Sequence, residues 1–121
     1  MNPYNYETNM SNVKSSLIEN TRKVLHYEIQ FPSALDTGYL ENSIVNGEYY
    51  RPKVKRKTPL VILVHGVGDS SIIPCKIIAR RLVKHGIASF VPYLTIHSRR
   101  IPKELHNHMP YLTPNEWFQS Y

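Results

Sequence analysis

The chain has 121 residues, 41% hydrophobic and 20% charged, and carries a formal net charge of +6. That composition belongs to a globular domain and excludes collagen-like, coiled-coil and repeat architectures, while the longest aliphatic run, Leu60 to Val64, falls far short of the ~20 residues a membrane-spanning helix needs. One core fits in this length, whereas single-domain α/β enzymes usually take roughly 200 to 250 residues, so a truncated domain is expected.

Residues 1–21 are predicted to be a polar N-terminal arm, with at most a helical turn between Ser11 and Asn20. The first dozen residues lack both the basic start and the apolar stretch of a secretory signal, which makes the cytoplasm the default compartment. A single cysteine, Cys75, has no internal disulfide partner, in keeping with a reducing environment.

From Leu25 the apolar residues Leu25, Tyr27, Ile29 and Phe31 alternate with His26, Glu28 and Gln30, the period of a half-buried strand, and Pro32 ends it. Ser43 to Tyr50 is aromatic and β-branched and is predicted to be a second strand, antiparallel to the first. Between them and the next element stand Arg51, Lys53, Lys55, Arg56 and Lys57, read as a solvated loop. Their KVKRK string resembles a nuclear-import signal, a motif of low specificity.

Leu60 to Val64 has no polar alternation, which predicts a strand buried on both faces by helices of a parallel sheet. It runs into His65-Gly66-Val67-Gly68-Asp69-Ser70-Ser71, a small-residue loop. The helix that follows is predicted to turn Cys75, Ile78, Ala79 and Leu82 inward and Lys76, Arg80, Arg81 and Lys84 outward, with Pro74 in its first turn and Gly86 at its exit. Ala88 to Tyr93 would be a second parallel strand, completing a right-handed crossover. Leu94 to Leu112 is irregular, and Thr113-Pro114-Asn115-Glu116 is a capping box that announces another helix.

Three ligand classes suit a strand-loop-helix of this kind. A phosphate loop is excluded, because no G-x-x-x-x-G-K-[ST] occurs. The dinucleotide fingerprint is incomplete: Ser71 stands where a third glycine belongs, and the next strand ends in Pro92-Tyr93-Leu94 without an acid for a ribose. The segment LVHGVGD resembles the loop between the third strand and first helix of α/β-hydrolases, one side of their oxyanion hole. ENSIVNGEYYRPK, this loop and VPYLTIHSRRIPKE, in that order, are similar to dienelactone-hydrolase-like and esterase-like members of that superfamily, over its N-terminal portion only.

The resemblance implies a partial α/β-hydrolase fold over residues 22–121, an antiparallel strand pair followed by a parallel strand-helix-strand unit. It further implies that the amide of Val67 faces a developing oxyanion, that Gly66 and Gly68 shape the loop, and that His65 orients it. The substrate of a complete homologue would be a small carboxylic ester or related acyl compound. No G-x-S-x-G elbow is present, nor a counterpart of the family's acid and catalytic histidine, so the chain by itself is expected to be inactive and to need self-association or a further C-terminal part.

Other chemistry-bearing residues have plainer readings. Asp69, Ser70 and Ser71 supply the residue types of a triad but sit too close on one loop to converge, and helix capping suits them better. Cys75 belongs to the helix's apolar face. His97, His106 and His108, with Glu104 nearby, lack the fixed ligand set of a zinc site, so no metal and no cofactor is implied. Arg99 and Arg100 read as solvated loop arginines, with an acidic substrate as the other reading. The competing function is a non-catalytic module that binds a partner or nucleic acid through its basic segments; nucleic acid is the less favoured partner, and no membrane association is expected.

Overall fold

The computed structural model describes residues 12–34, 37–66, 71–95, 97 and 100–105. Five strands, β1 (Lys14–Asn20), β2 (Val24–Pro32), β3 (Ile44–Pro52), β4 (Leu60–Ile62) and β5 (Ala88–Pro92), form one sheet, and the helix α1 (Ile73–Lys84) joins β4 to β5. The sheet order is β1-β2-β3-β5-β4. Neighbours β1/β2, β2/β3 and β3/β5 are antiparallel, and β4/β5 is parallel. This mixed arrangement is the expected antiparallel pair followed by a parallel strand-helix-strand unit, extended by one strand.

That extra strand is β1, in the segment read as a polar arm with a helical turn. Lys14 to Asn20 pairs with β2 along its length, with a bulge where the register slips between Leu17 and Glu19. Its residues are almost all exposed. An edge strand wet on both faces shows neither alternation nor an apolar run, and so leaves no periodic mark in the sequence.

The register assigns every side chain to a face. His26 stands opposite Tyr50, Glu28 opposite Glu48, and Gln30 opposite Asn46; across the next pairing, Glu48 stands opposite Val91 and Tyr50 opposite Ser89. These residues share the face that α1 covers, where Tyr50, Ala79, Val83 and Val91 make the small core, joined by Val24, Leu63, Ile72 and Cys75. The alternating apolar set of β2 therefore points the other way. Tyr27 packs against Tyr49 with ring centroids 6.2 Å apart, and Phe31 against Phe90 at 6.5 Å. Gly47 serves this second face, because a Cβ there would lie 2.5 Å from the Phe90 ring and 3.0 Å from the carbonyl of Val91.

Two expectations about burial are corrected. The run beginning at Leu60 was expected to be covered on both faces, but β4 lies at the sheet edge, pairs with β5 alone among the described residues, and leaves Leu60, Ile62 and Val64 56%, 61% and 58% exposed. The helix keeps Cys75, Ala79 and Leu82 on its inner face and Arg81 and Lys84 exposed, as expected, with one exception. Ile78 is 49% exposed instead of inward; Arg80 is exposed as expected yet pairs with Glu19, and Lys76, half-buried, reaches the carboxylate of Glu48. Hydropathy alone positions a helix over an apolar floor; here the floor carries buried charge, and the cations are drawn to it.

The helix closes with a double hydrogen-bond cap. Gly86 N–H donates to the Val83 carbonyl at 3.0 Å and Ile87 N–H to that of Leu82 at 3.1 Å, with Gly86 at φ 78°. This is the Schellman geometry, for which the left-handed backbone favours glycine.

Candidate active site

The loop after β4 leaves the carboxyl end of the parallel pair, the side on which open α/β sheets present their ligand sites. His65, at its start, is 5% exposed. Its Nδ1 lies 3.1 Å from the Gly66 carbonyl oxygen, and its Nε2 lies 3.2 Å from the Leu94 nitrogen. A carbonyl only accepts and a backbone N–H only donates, so the ring is the neutral Nδ1–H tautomer with the Nε2 lone pair occupied. His65 is therefore tied to the segment following β5 and has no free nitrogen to act as a base. Its ring also meets that of His97 edge-on, at 4.8 Å.

Gly66 is exposed beside it. Val67 and Gly68, the other oxyanion candidates, lie outside the described residues, as do Asp69 and Ser70. Ser71 Oγ accepts the Ile73 N–H at 3.1 Å, so its hydroxyl serves the start of α1. Cys75 packs, half-buried, against the core.

Arg100 departs from the solvated-loop reading and from the substrate-contact reading alike. It is 4% exposed and donates to the carbonyl of Tyr93 at 2.9 Å and to that of Asn42 at 3.1 Å. It pins the chain after β5 to the turn before β3. His97 is 3% exposed, with Nδ1 2.7 Å from the Thr95 carbonyl oxygen. Arg99, His106 and His108 fall outside the described residues, as does the capping box at Thr113.

Sequence reasoning missed a buried polar cluster centred on Glu48, which is 6% exposed. One carboxylate oxygen accepts from Tyr50 Oη at 2.5 Å and from His26 Nε2 at 3.0 Å; the other accepts from Tyr93 Oη and Lys76 Nζ, each at 2.9 Å. Burial alone would push this carboxyl up, but the hydrogen bonds from Tyr50, Lys76 and Tyr93 prevail and hold it at about 2. The Tyr50 phenol is raised by the same burial and by its bond to Glu48.

His26 stacks on Tyr50 at 4.1 Å, and the Arg80 guanidinium lies over the Tyr50 ring, 5.4 Å from its centre. Burial lowers the His26 pKa more than Glu48 raises it, with Arg80 and Lys76 adding to the lowering. The ring is neutral and donates through Nε2, while Nδ1 has no hydrogen-bond partner among the described residues and sits 3.9 Å from Glu19. The missed signal was the alternating His26, Glu28 and Gln30, assigned to solvent because polar residues usually belong there.

The cluster ties β2, β3, the start of α1 and the end of β5 together. Through Tyr93 and the adjoining Leu94 it meets the hydrogen bond that holds His65. No family model and no curated protein matches the chain. Among solved structures it is similar to an acetyl xylan esterase from Paenibacillus sp. R4, at 14% identity and a TM-score of 0.52, over 69% of this chain and 26% of that one. The chain carries a partial α/β fold. It spans about a quarter of the esterase's length, and at this identity the likeness establishes the fold alone.

Proposed function

We propose that this partial α/β domain supplies the oxyanion side of a serine-type acyl hydrolase site, acting on a carboxylic ester or related compound once a nucleophile, an acid and a catalytic histidine are provided. The observation that carries the reading is His65, held neutral between Gly66 and Leu94 at the carboxyl end of β4, where it fixes the entry to the HGVGD loop. In this reading the Val67 amide donates to the oxyanion, and Gly66 and Gly68 keep side chains out of its path. The likeness to an esterase fold supports the reading.

The chain contains no G-x-S-x-G, so alone it should not hydrolyse p-nitrophenyl acetate above a matched non-catalytic protein. Saturable turnover abolished by Ser70→Ala or Ser71→Ala would refute that expectation. The oxyanion assignment is tested by fusing the chain to a segment that carries G-x-S-x-G, an acid and a histidine. Val67→Pro removes the amide donor and should lower turnover by roughly two to three orders of magnitude, whereas Val67→Ala retains it. Equal turnover in the two folded variants would make the loop a structural turn.

A further inference from the structure

The two basic clusters that stand apart in the sequence meet in the fold. Loop 53–57 leads into β4 and the last turn of α1 leads into β5, so both lie where the parallel strands begin. Arg56 reaches the exit of the helix: a Cβ on Gly86, two residues beyond Lys84, would be 3.3 Å from its guanidinium. Lys55, Arg56, Lys57, Arg81 and Lys84 are exposed, and none has an acidic partner among the described residues. Arg80 and Lys53, by contrast, are engaged by Glu19 and Asn20. On the helix side of this pole an open groove of about 570 Å³ is lined by Ile77, Arg80, Arg81, Lys84 and His85. Compensation of the helix dipole accounts for cations in the last turn of α1, but gives no reason for three more on the loop beside it.

We propose that this pole of the molecule docks the phosphate backbone of a nucleic acid, without regard to base sequence. Clustered, unneutralised cations concentrate positive potential, and their counterpart is a polyanion whose bound counterions they release. The groove lining is mainly cationic, with Ile77 and the His85 imidazole beside the cations and no Trp, Tyr or Phe, so charge directed at the backbone dominates recognition. Exposed apolar residues do stand near these cations, Val54 within the loop at 38%, Leu60 just after it at 56% and Ile77 in the groove at 62%. They are spread over a loop, a strand and a helix and do not form the single amphipathic face that lies in a bilayer, so the charge decides for a polyanion and the vesicle arm of the test covers the other surface. The pole is also remote from His65, at the other end of β4, so docking leaves the candidate oxyanion loop open and stands independently of the hydrolase reading. In the sequence the two clusters read separately, as a solvated loop and as the outer side of a helix, which disfavoured this partner.

The test is fluorescence anisotropy of the full chain with labelled oligothymidine and with a labelled duplex, across about 50 to 200 mM salt. If five cations engage, the slope of log K against log salt should be about −3.5 for the single strand and −4.5 for the duplex. Arg81→Glu/Lys84→Glu should weaken binding at least tenfold. Lys14→Glu/Lys103→Glu, with the same change in net charge at the far end of the sheet, should stay within twofold. Lys55→Ser/Lys57→Ser, confined to the loop, should cost several-fold and guards against misfolding of the helix variant. Equal losses in the two charge-matched pairs, no binding, or binding to phosphatidylserine vesicles without binding to oligonucleotides would each overturn the proposal.

Discussion

Glu48 shows how a single residue can hold four elements. Its carboxylate receives hydrogen bonds from Tyr50, His26, Tyr93 and Lys76. Glu48→Ala strands these donors and leaves Lys76 without its counter-ion, and we expect a loss of about 3 to 5 kcal/mol in chemical denaturation. Glu48→Gln keeps the shape but replaces one accepting oxygen with a donor facing two other donors, so it should recover only part of that loss. The pH dependence has two windows. His26 is lowered in the folded state, so the unfolded chain takes up its proton first, and stability falls as pH drops below about 6.5. Glu48 is lowered from 4.5 to about 2, so its contribution is full above 4.5 and disappears as pH falls through 2. Denaturation midpoints at pH 7.5 and 5.5 should differ in the parent chain and converge in His26→Gln; an unchanged difference would place the titration elsewhere.

At the scale of elements, the places where backbone geometry is tightest are the clearest tests. Gly86→Ala forces a side chain into the left-handed region at φ 78° and toward Arg56, and should cost about 1 kcal/mol. Gly47→Ala meets the Phe90 ring and, less yieldingly, the carbonyl of Val91, with an expected cost of about 1 to 3 kcal/mol. Adding Phe90→Ala should reduce the penalty of the Gly47 change, and strictly additive losses would mean the ring is not the obstacle. The sequence makes β2, β3, β5, the helix and its glycine exit legible, because each has a period or a punctuating residue. It hides β1, whose wet edge position has no period, and it hides the ion pairs of Lys76 and Arg80 on α1, because Glu48 and Glu19 are distant in sequence. The position of His65 just after β4 was legible from its motif, while the engagement of Arg100 and the Glu48 cluster were not, since their partners come from separate strands and turns.

For the molecule as a whole, the exposed aliphatic edge is the dominant surface feature. Leu60 and Ile62 stand open on a strand that has one hydrogen-bonded neighbour among the described residues, Val64 is exposed just after it, and Ile73, Ile77 and Ile78 are 49–62% exposed on α1. Edges of this kind recruit further strands. The chain should self-associate with rising concentration in sedimentation velocity, and Leu60→Lys/Ile62→Lys should return it toward monomer without lowering its melting temperature. A strict monomer in the parent chain would count against that view of the edge.

The ion pairs of the helix have a kinetic consequence as well. Arg80 and Glu19 are 61 residues apart, so the contacts that seat α1 require the strands to be assembled first. Non-local contacts reward the chain only after loop closure has been completed. Docking of α1 should therefore be a late event. Arg80→Ala and Lys76→Ala should leave the refolding rate nearly unchanged and accelerate unfolding, giving φ-values near zero in stopped-flow chevrons, whereas substitutions in the β2/β3 pairing should slow refolding. A high φ-value at Arg80 would mean that the ion pair forms in the nucleus and guides the strands instead of following them.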